Sequence, residues 1–203
     1  MKILAFDPDR TLWEGCDFSD VDALPEGLER VRFIDCRFNG LSFLDTTMAG
    51  CQFEGCSFDF TRLGGVIDRC ALTNCSFRYA NLLGAEFTDC KLTGSNLSEL
   101  SNPGFLISGG DWSYTALAKI RMKKRDLSGV NFTGANLFDC RFEGCKLADV
   151  RFDNAVISQL SLKNSDLRGA SFAFVNMDAI DFKGCTGDLD FAVAYTRAHG
   201  IKI

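Results

Sequence analysis

Large apolar residues recur along this chain every five positions. From Phe33 the series runs without a break through Phe38, Phe43, Met48, Phe53 and Phe58 to Leu63. It resumes at Leu72, holds through Phe77, Leu82, Phe87, Leu92 and Leu97, and continues from Trp112 to Phe182, with Asn102 the only polar residue in any slot of this second register. Two positions before most centres stands a smaller residue, such as Ala80, Val130 or Ser165, and all ten cysteines fall in this slot. The remaining positions are mostly Asp, Asn, Arg, Lys, Ser, Thr and Gly.

A period of five matches neither a helix face at 3.6 residues nor strand alternation at 2.0. It fits a coil with four sides, one pentad to a side, in which the small and the large residue point inward. Four pentads close a turn of about 20 residues, and successive turns stack as parallel rungs about 4.8 Å apart. Phe33 then lies on Phe53, and Phe132, Phe152 and Phe172 form a second ladder. The expected fold is an all-β solenoid over residues 1–187, with 1–14 as an N-terminal cap. Between Leu63 and Leu72 there are nine residues instead of ten, which predicts a register slip near 64–70. The segment 100–124 is irregular but returns in phase at Trp112, so a modest bulge is expected there and no large loop. Residues 188–203 break the pattern: Asp188 is a candidate N-cap, helix formers follow, and Gly200 is a stop signal. A short C-terminal helix should cover the end of the ladder, which would otherwise offer unpaired rung groups.

The composition sharpens this picture. Nineteen Phe stand against two Trp and three Tyr, consistent with a narrow core that stacks flat rings and leaves no partner for a phenolic hydroxyl. Lysines and arginines total 22 against 27 acids, a net charge of −5, which argues against direct nucleic-acid binding. No apolar run is long enough to span a bilayer, and the opening Met1–Pro8 turns charged at Asp7 before a secretory segment forms, so a cytoplasmic location is expected. A filled coil offers no recess where titratable groups converge, so no enzyme activity, catalytic residue or cofactor is expected. The cysteines lack the close Cys-x-x-Cys spacing of a metal site and read as reduced, buried small residues, so no metal is expected. His199, the sole histidine, sits where it would face the carbonyl end of the terminal helix. Folded at a period of 20, the later register places Glu86, Asp89, Asp126, Asp149 and Asp166 along one face. Arg121, Lys123, Lys124, Arg141, Lys163 and Lys183 fall on the adjoining one.

The pentads Ala80–Gly84, Val130–Gly134 and Ser165–Gly169, and Arg125–Gly129 apart from its first residue, carry the order small residue, Asp or Asn, Leu or Phe, a variable residue (Leu, Thr, Arg or Ser here), Gly. In this the chain resembles the pentapeptide-repeat family over roughly residues 13–187. The resemblance implies a right-handed quadrilateral parallel β-helix. Gyrase-protecting members of that family, the mycobacterial fluoroquinolone-resistance and plasmid-borne quinolone-resistance groups, are the nearest look-alikes. By that resemblance the chain is a DNA mimic that binds DNA gyrase or topoisomerase IV and modulates it or protects it from quinolones or toxins. The resemblance also implies a homodimer paired through the C-terminus by Leu189, Phe191, Ala192, Val193, Tyr195 and Thr196. B-DNA carries one negative charge per ~1.7 Å of axis, far more than this chain, so such mimicry would rest on shape and on one acidic face. A scaffolding solenoid that binds another protein and has no topoisomerase target is the alternative.

Overall fold

The computed structural model describes residues 1–22 and 24–202. It divides the chain into two compact units, Met1–Ile107 and Ser108–Ile203. Each is a parallel β-solenoid wound from pentads.

In the first unit, Arg32–Ile34 pairs in parallel with Gln52–Glu54 and sets Phe33 opposite Phe53, a step of twenty residues. Their rings stack at 4.9 Å, and Phe38 stacks on Phe58 at 5.1 Å. In the second unit, Met122 lies opposite Phe142, and the Phe152 ring stacks between Phe132 and Phe172 at 5.8 and 5.1 Å. Every centre named by the five-residue spacing is buried except Asn102 and Phe182, which are half-buried. Full burial of each such side chain contributes about 1.5–3 kcal/mol, and each ring pair about 0.5–1.5 kcal/mol more.

The corners explain the polar positions. Two residues after most centres the backbone turns through the left-handed region, as at Asp35, Asn74, Asp149 and Asn164. Asn and Asp tolerate this conformation and glycine adopts it freely. A corner side chain then leans over the corner of the next coil. The Tyr114 ring covers Gly134, where an added β-carbon would come within 2.5 Å of the ring.

The small slot is more than a space-filler. Cys75 Sγ donates to Phe53 O and Cys140 Sγ to Leu117 O, reaching carbonyls 22 and 23 residues back. Ser95 Oγ and Ser165 Oγ make the same bond, to Leu72 O and Phe142 O, at 2.6 and 2.9 Å. Cysteine and serine share the position because both carry a short donor.

Two irregularities interrupt the register. At the slip, Met48 lies opposite Ile67 and Phe53 opposite Leu72, a step of nineteen. Ile67, fully buried four residues after Leu63, is the inward residue of a shortened side, and Gly65 turns its corner with φ of +68°. Near residue 102 the step lengthens, with Asn81 bridged to Asn102. Pro103 and Gly104 are exposed, and the buried Phe105 occupies the small slot ahead of Ile107, its ring edge-on to Phe87 at 5.8 Å.

At the start of the chain, Lys2 already bridges Asp17, Leu12–Glu14 pairs with Arg32–Ile34, and the Phe6 ring covers Trp13 and Phe18. At the other end a 3₁₀ turn, Met177–Ala179, precedes the single helix α1, Leu189–Ala198. Asp188 caps it, accepting from Phe191 N at 2.9 Å, as the sequence pattern predicts. Residues 201 and 202 form no strand, and Ile203 lies outside the described residues.

Candidate functional site

A filled coil presents only its outer sides, so the candidate sites are faces and ends. In the first unit the widest face is a five-stranded sheet of Gly27–Glu29, Thr47–Ala49, Gly65–Asp68, Ala85–Thr88 and Leu106–Ser108. Glu86 projects from it opposite Val66, and Asp89 occupies the next corner. Glu29, Ala49 and Asp68 align as one column on the same sheet, so Glu29 and Asp68 join Glu86 and Asp89 there. This unit holds 16 acids and 9 lysines and arginines, and most of the chain's acidic excess is concentrated in it.

Asp126, Asp149 and Asp166 belong to the second unit. Lys146 bridges both Asp126 and Asp166 in a parallel column, which the sequence reading overlooked although the twenty-residue step puts it there. Its ammonium pairs with Asp126 at 3.2 Å. Hydrogen bonds from Ser128, and then from Lys146, hold the Asp126 carboxyl below its ordinary range. The Arg168 guanidinium lies 2.5 Å from Asp166 and draws that carboxyl down to about 2. Asp149 leans from its corner over Gly169. Asp126 and Asp166 therefore sit beside cations, whereas Asp149, Glu86 and Asp89 make no ion pair among the described residues.

The cations named by the spacing line a four-stranded face of the second unit, built from Arg121–Lys123, Arg141–Glu143, Leu160–Ser161 and Ile180–Asp181. Arg121 pairs with Asp139 at 2.9 Å and Lys163 with Asp181 at 2.8 Å.

At the C-terminal end, Phe191 turns down from α1 onto Phe172 and Phe182, with ring centres 5.9 and 5.4 Å apart. Asp188 Oδ2 accepts from Gly169 N, and His199 Nε2 lies 2.7 Å from Asp178 Oδ1, so both ends of the helix are tied to the coil. Val193 and Thr196 are half-buried, while Leu189, Ala192 and Tyr195 are exposed, Leu189 at 77%. A groove of about 850 Å³ runs between Phe172–Met177 and the side of α1 formed by Asp190, Ala194 and Arg197.

No group of three or more His, Cys, Asp or Glu suited to a metal occurs among the described residues. Burial pushes the Cys140 thiol up to about 12 and the Cys90 thiol to about 11, which keeps both protonated and poorly nucleophilic. Among the described residues no helix is long and apolar enough to cross a membrane.

Family comparisons agree with this architecture. A family model described as a pentapeptide repeat region matches residues 115–189, and one for pentapeptide repeats in eight copies matches 68–100, together more than half the chain. The chain belongs to the pentapeptide-repeat family. Among other members, it is 26% identical over 104 residues to the pentapeptide repeat protein MfpA of Mycobacterium tuberculosis. That alignment spans 49% of this chain and 52% of MfpA, about half the length of each. The fold is that of QnrB1, a plasmid-mediated fluoroquinolone resistance protein. Its full-length structure superposes with a TM-score of 0.78 at 22% identity over 95% of this chain and 99% of that one. A trypsin-treated form gives 0.82 at 23% identity over 96% and 97%.

Proposed function

We propose that this pentapeptide-repeat protein binds a type II topoisomerase, DNA gyrase or topoisomerase IV, by imitating duplex DNA, and modulates it or protects it from quinolones or toxins. The observation that carries the reading is the agreement of fold with QnrB1 along nearly the whole chain, since the solenoid is the feature a DNA mimic needs. The five-stranded face of the first unit supports it, because Glu86, Asp89 and Glu29 make no ion pair there among the described residues and would meet a basic groove. In the second unit Asp126, Asp149 and Asp166 are the acidic residues of this reading, with the charge of Asp126 and Asp166 weakened by Lys146 and Arg168. The action is reversible occupation of a protein surface, and no bond is made or broken. Two copies pair through the outer side of α1, with Leu189, Ala192 and Tyr195 at the contact and Phe191, Val193 and Thr196 supporting the helix from beneath.

The test is DNA supercoiling and quinolone-stabilised cleavage by purified gyrase with added protein, alongside the solution mass of the protein. A change in either activity at micromolar protein is the expected result, reduced in a Glu86→Lys/Asp89→Lys variant. Unchanged supercoiling and cleavage overturn the reading. A scaffolding role is favoured by a different observation in the first unit. Phe60 is 60% exposed, and its ring stacks on the exposed Tyr79 at 5.1 Å. Leu44 and Leu83 are exposed across the same side, an apolar arrangement suited to a protein partner.

A further inference from the structure

The second unit reverses the charge balance of the chain, with 13 lysines and arginines against 11 acids. The excess is concentrated on its four-stranded face. Arg121 and Arg141 project from neighbouring rungs as direct partners, and Lys123 projects from the same strand as Arg121. Lys119 and Lys124 occupy the two corners that bound this side, each in the left-handed conformation. Arg125 stands in the slot that elsewhere holds a small inward residue, yet it is exposed.

Pairing within the face leaves most of this charge uncompensated. Among the described residues, Lys119, Lys123, Lys124, Arg125 and Arg141 make no ion pair. Most carboxylates nearby are already engaged. Asp139 is held by Arg121, Asp181 by Lys163 and Asp178 by His199, while Glu143, opposite Lys123 on the next rung, accepts from Ser161 Oγ at 3.1 Å and keeps its charge on the face. A shallow hollow of about 550 Å³ opens on this side, lined by Arg141 and Lys163 together with the engaged carboxylates Asp139, Asp178 and Asp181.

We propose that this face binds the phosphate backbone of a nucleic acid duplex. The net charge of −5 argues against such a contact for the chain as a whole, but the charge that a duplex meets is that of the face it touches. Two properties favour phosphate over an acidic polypeptide. The centres of the face, Met122, Phe142 and Leu162, are buried and the outward positions between them are polar or charged, so it offers none of the apolar anchors on which protein interfaces rely. It also presents Arg141, which makes no ion pair among the described residues, beside Arg121, which is held by Asp139, and a guanidinium fork matches a phosphate in two parallel hydrogen bonds. The contact reads no base sequence. It does not rest on the topoisomerase reading, and its assay contains no topoisomerase.

The experiment is fluorescence anisotropy of a labelled 20-base-pair duplex titrated with the full chain across a salt series. At low salt, binding is expected in the range of about 1–100 µM, with a log–log salt slope of about −4.5, as neutralisation of roughly five phosphates requires. A Lys123→Glu/Arg141→Glu variant should bind at least about tenfold more weakly and lose about 2 from the slope, with an unchanged circular dichroism spectrum and melting midpoint. The matched Arg62→Glu/Lys91→Glu variant, which alters the first unit by the same charge, should change affinity less than about threefold. Absence of binding at low salt, or equal losses in the two variants, overturns the proposal. Displacement of the duplex by polyglutamate as effective, charge for charge, as by unlabelled duplex also overturns it and assigns the face to an acidic polypeptide.

Discussion

The hydroxyl of Ser95 accepts the amide N–H of Cys75 at 2.8 Å and donates to Leu72 O at 2.6 Å, closing a corner that lacks a backbone turn bond. Ser165 does the same for Cys145 and Phe142, and Cys70 Sγ accepts from Cys51 N. Replacing Ser95 with Ala leaves the Cys75 amide buried without a partner, at a cost of about 1–3 kcal/mol. Ser95→Cys keeps a short group that can donate and accept, and should cost less than half as much. Urea denaturation of the two variants checks the order.

Phe152→Ala should lower stability by about 3–5 kcal/mol, because the rungs on either side hold Phe132 and Phe172 in place and the cavity cannot collapse. Arg151→Ala, one position away and outward, should change it by less than about 0.5 kcal/mol. Equal losses at the two sites would contradict the inward assignment.

The corner at Gly134 makes a directional prediction. Gly134→Ala puts a β-carbon against the Tyr114 ring at a φ of +67°, so it should destabilise by about 1–2 kcal/mol. In a Tyr114→Ala background the same change should cost measurably less, since the ring is gone and only the backbone strain remains. A double-mutant cycle by thermal denaturation gives the difference.

Asp166 carries a pH signature. Its carboxyl sits at about 2 in the fold against an ordinary value of 3.8, chiefly through its hydrogen bonds with Arg168. A depressed value means that the ionised form favours the fold, so the contribution is complete above roughly pH 5 and is lost as pH falls through 4 toward 2. Asp166→Asn should flatten the melting midpoint over that interval, matching the unaltered chain near pH 2 and lying slightly below it at pH 7, where the ionised carboxylate contributes. The carboxylate is exposed, so the effect is small and shrinks with added salt.

Thiol chemistry gives a further check. Nine of the ten cysteines are buried, and Cys185 is half-buried beside α1. An aromatic disulfide reagent at pH 8 should titrate at most Cys185 in the native protein, and all ten after unfolding in guanidinium. Rapid reaction of several native thiols would contradict the closed coil.

Much of this fold was legible because one rule, a large residue every fifth position, repeats often enough to fix which side chains turn inward. The rule failed where the coil changes length. Ile67 was missed because a shortened side moves its centre off the spacing, and Phe105 because a bulged side lets an aromatic ring enter a slot that elsewhere holds a small residue. The hydrogen bonds of the small slot were invisible, since the pattern records size and not what a thiol or hydroxyl faces. Lys146 between Asp126 and Asp166 could have been found by folding the sequence at twenty residues and keeping every charge in the column. Arg125 could not, because its slot predicts an inward side chain and only its charge forces it out.

The nineteen-residue coil at Gly64–Gly65 constrains how such a gene can lengthen. Tandem duplication of a coil preserves the fit of its neighbours only if the copied stretch contains a whole number of turns, which is sixty nucleotides through most of the chain but fifty-seven where the segment includes the shortened side. A recombination event that copies sixty nucleotides across that point would push every later ring one residue out of its slot. The shortened side thus acts as a phase marker in the coding sequence, tolerant of expansion on either side and hostile to it in between.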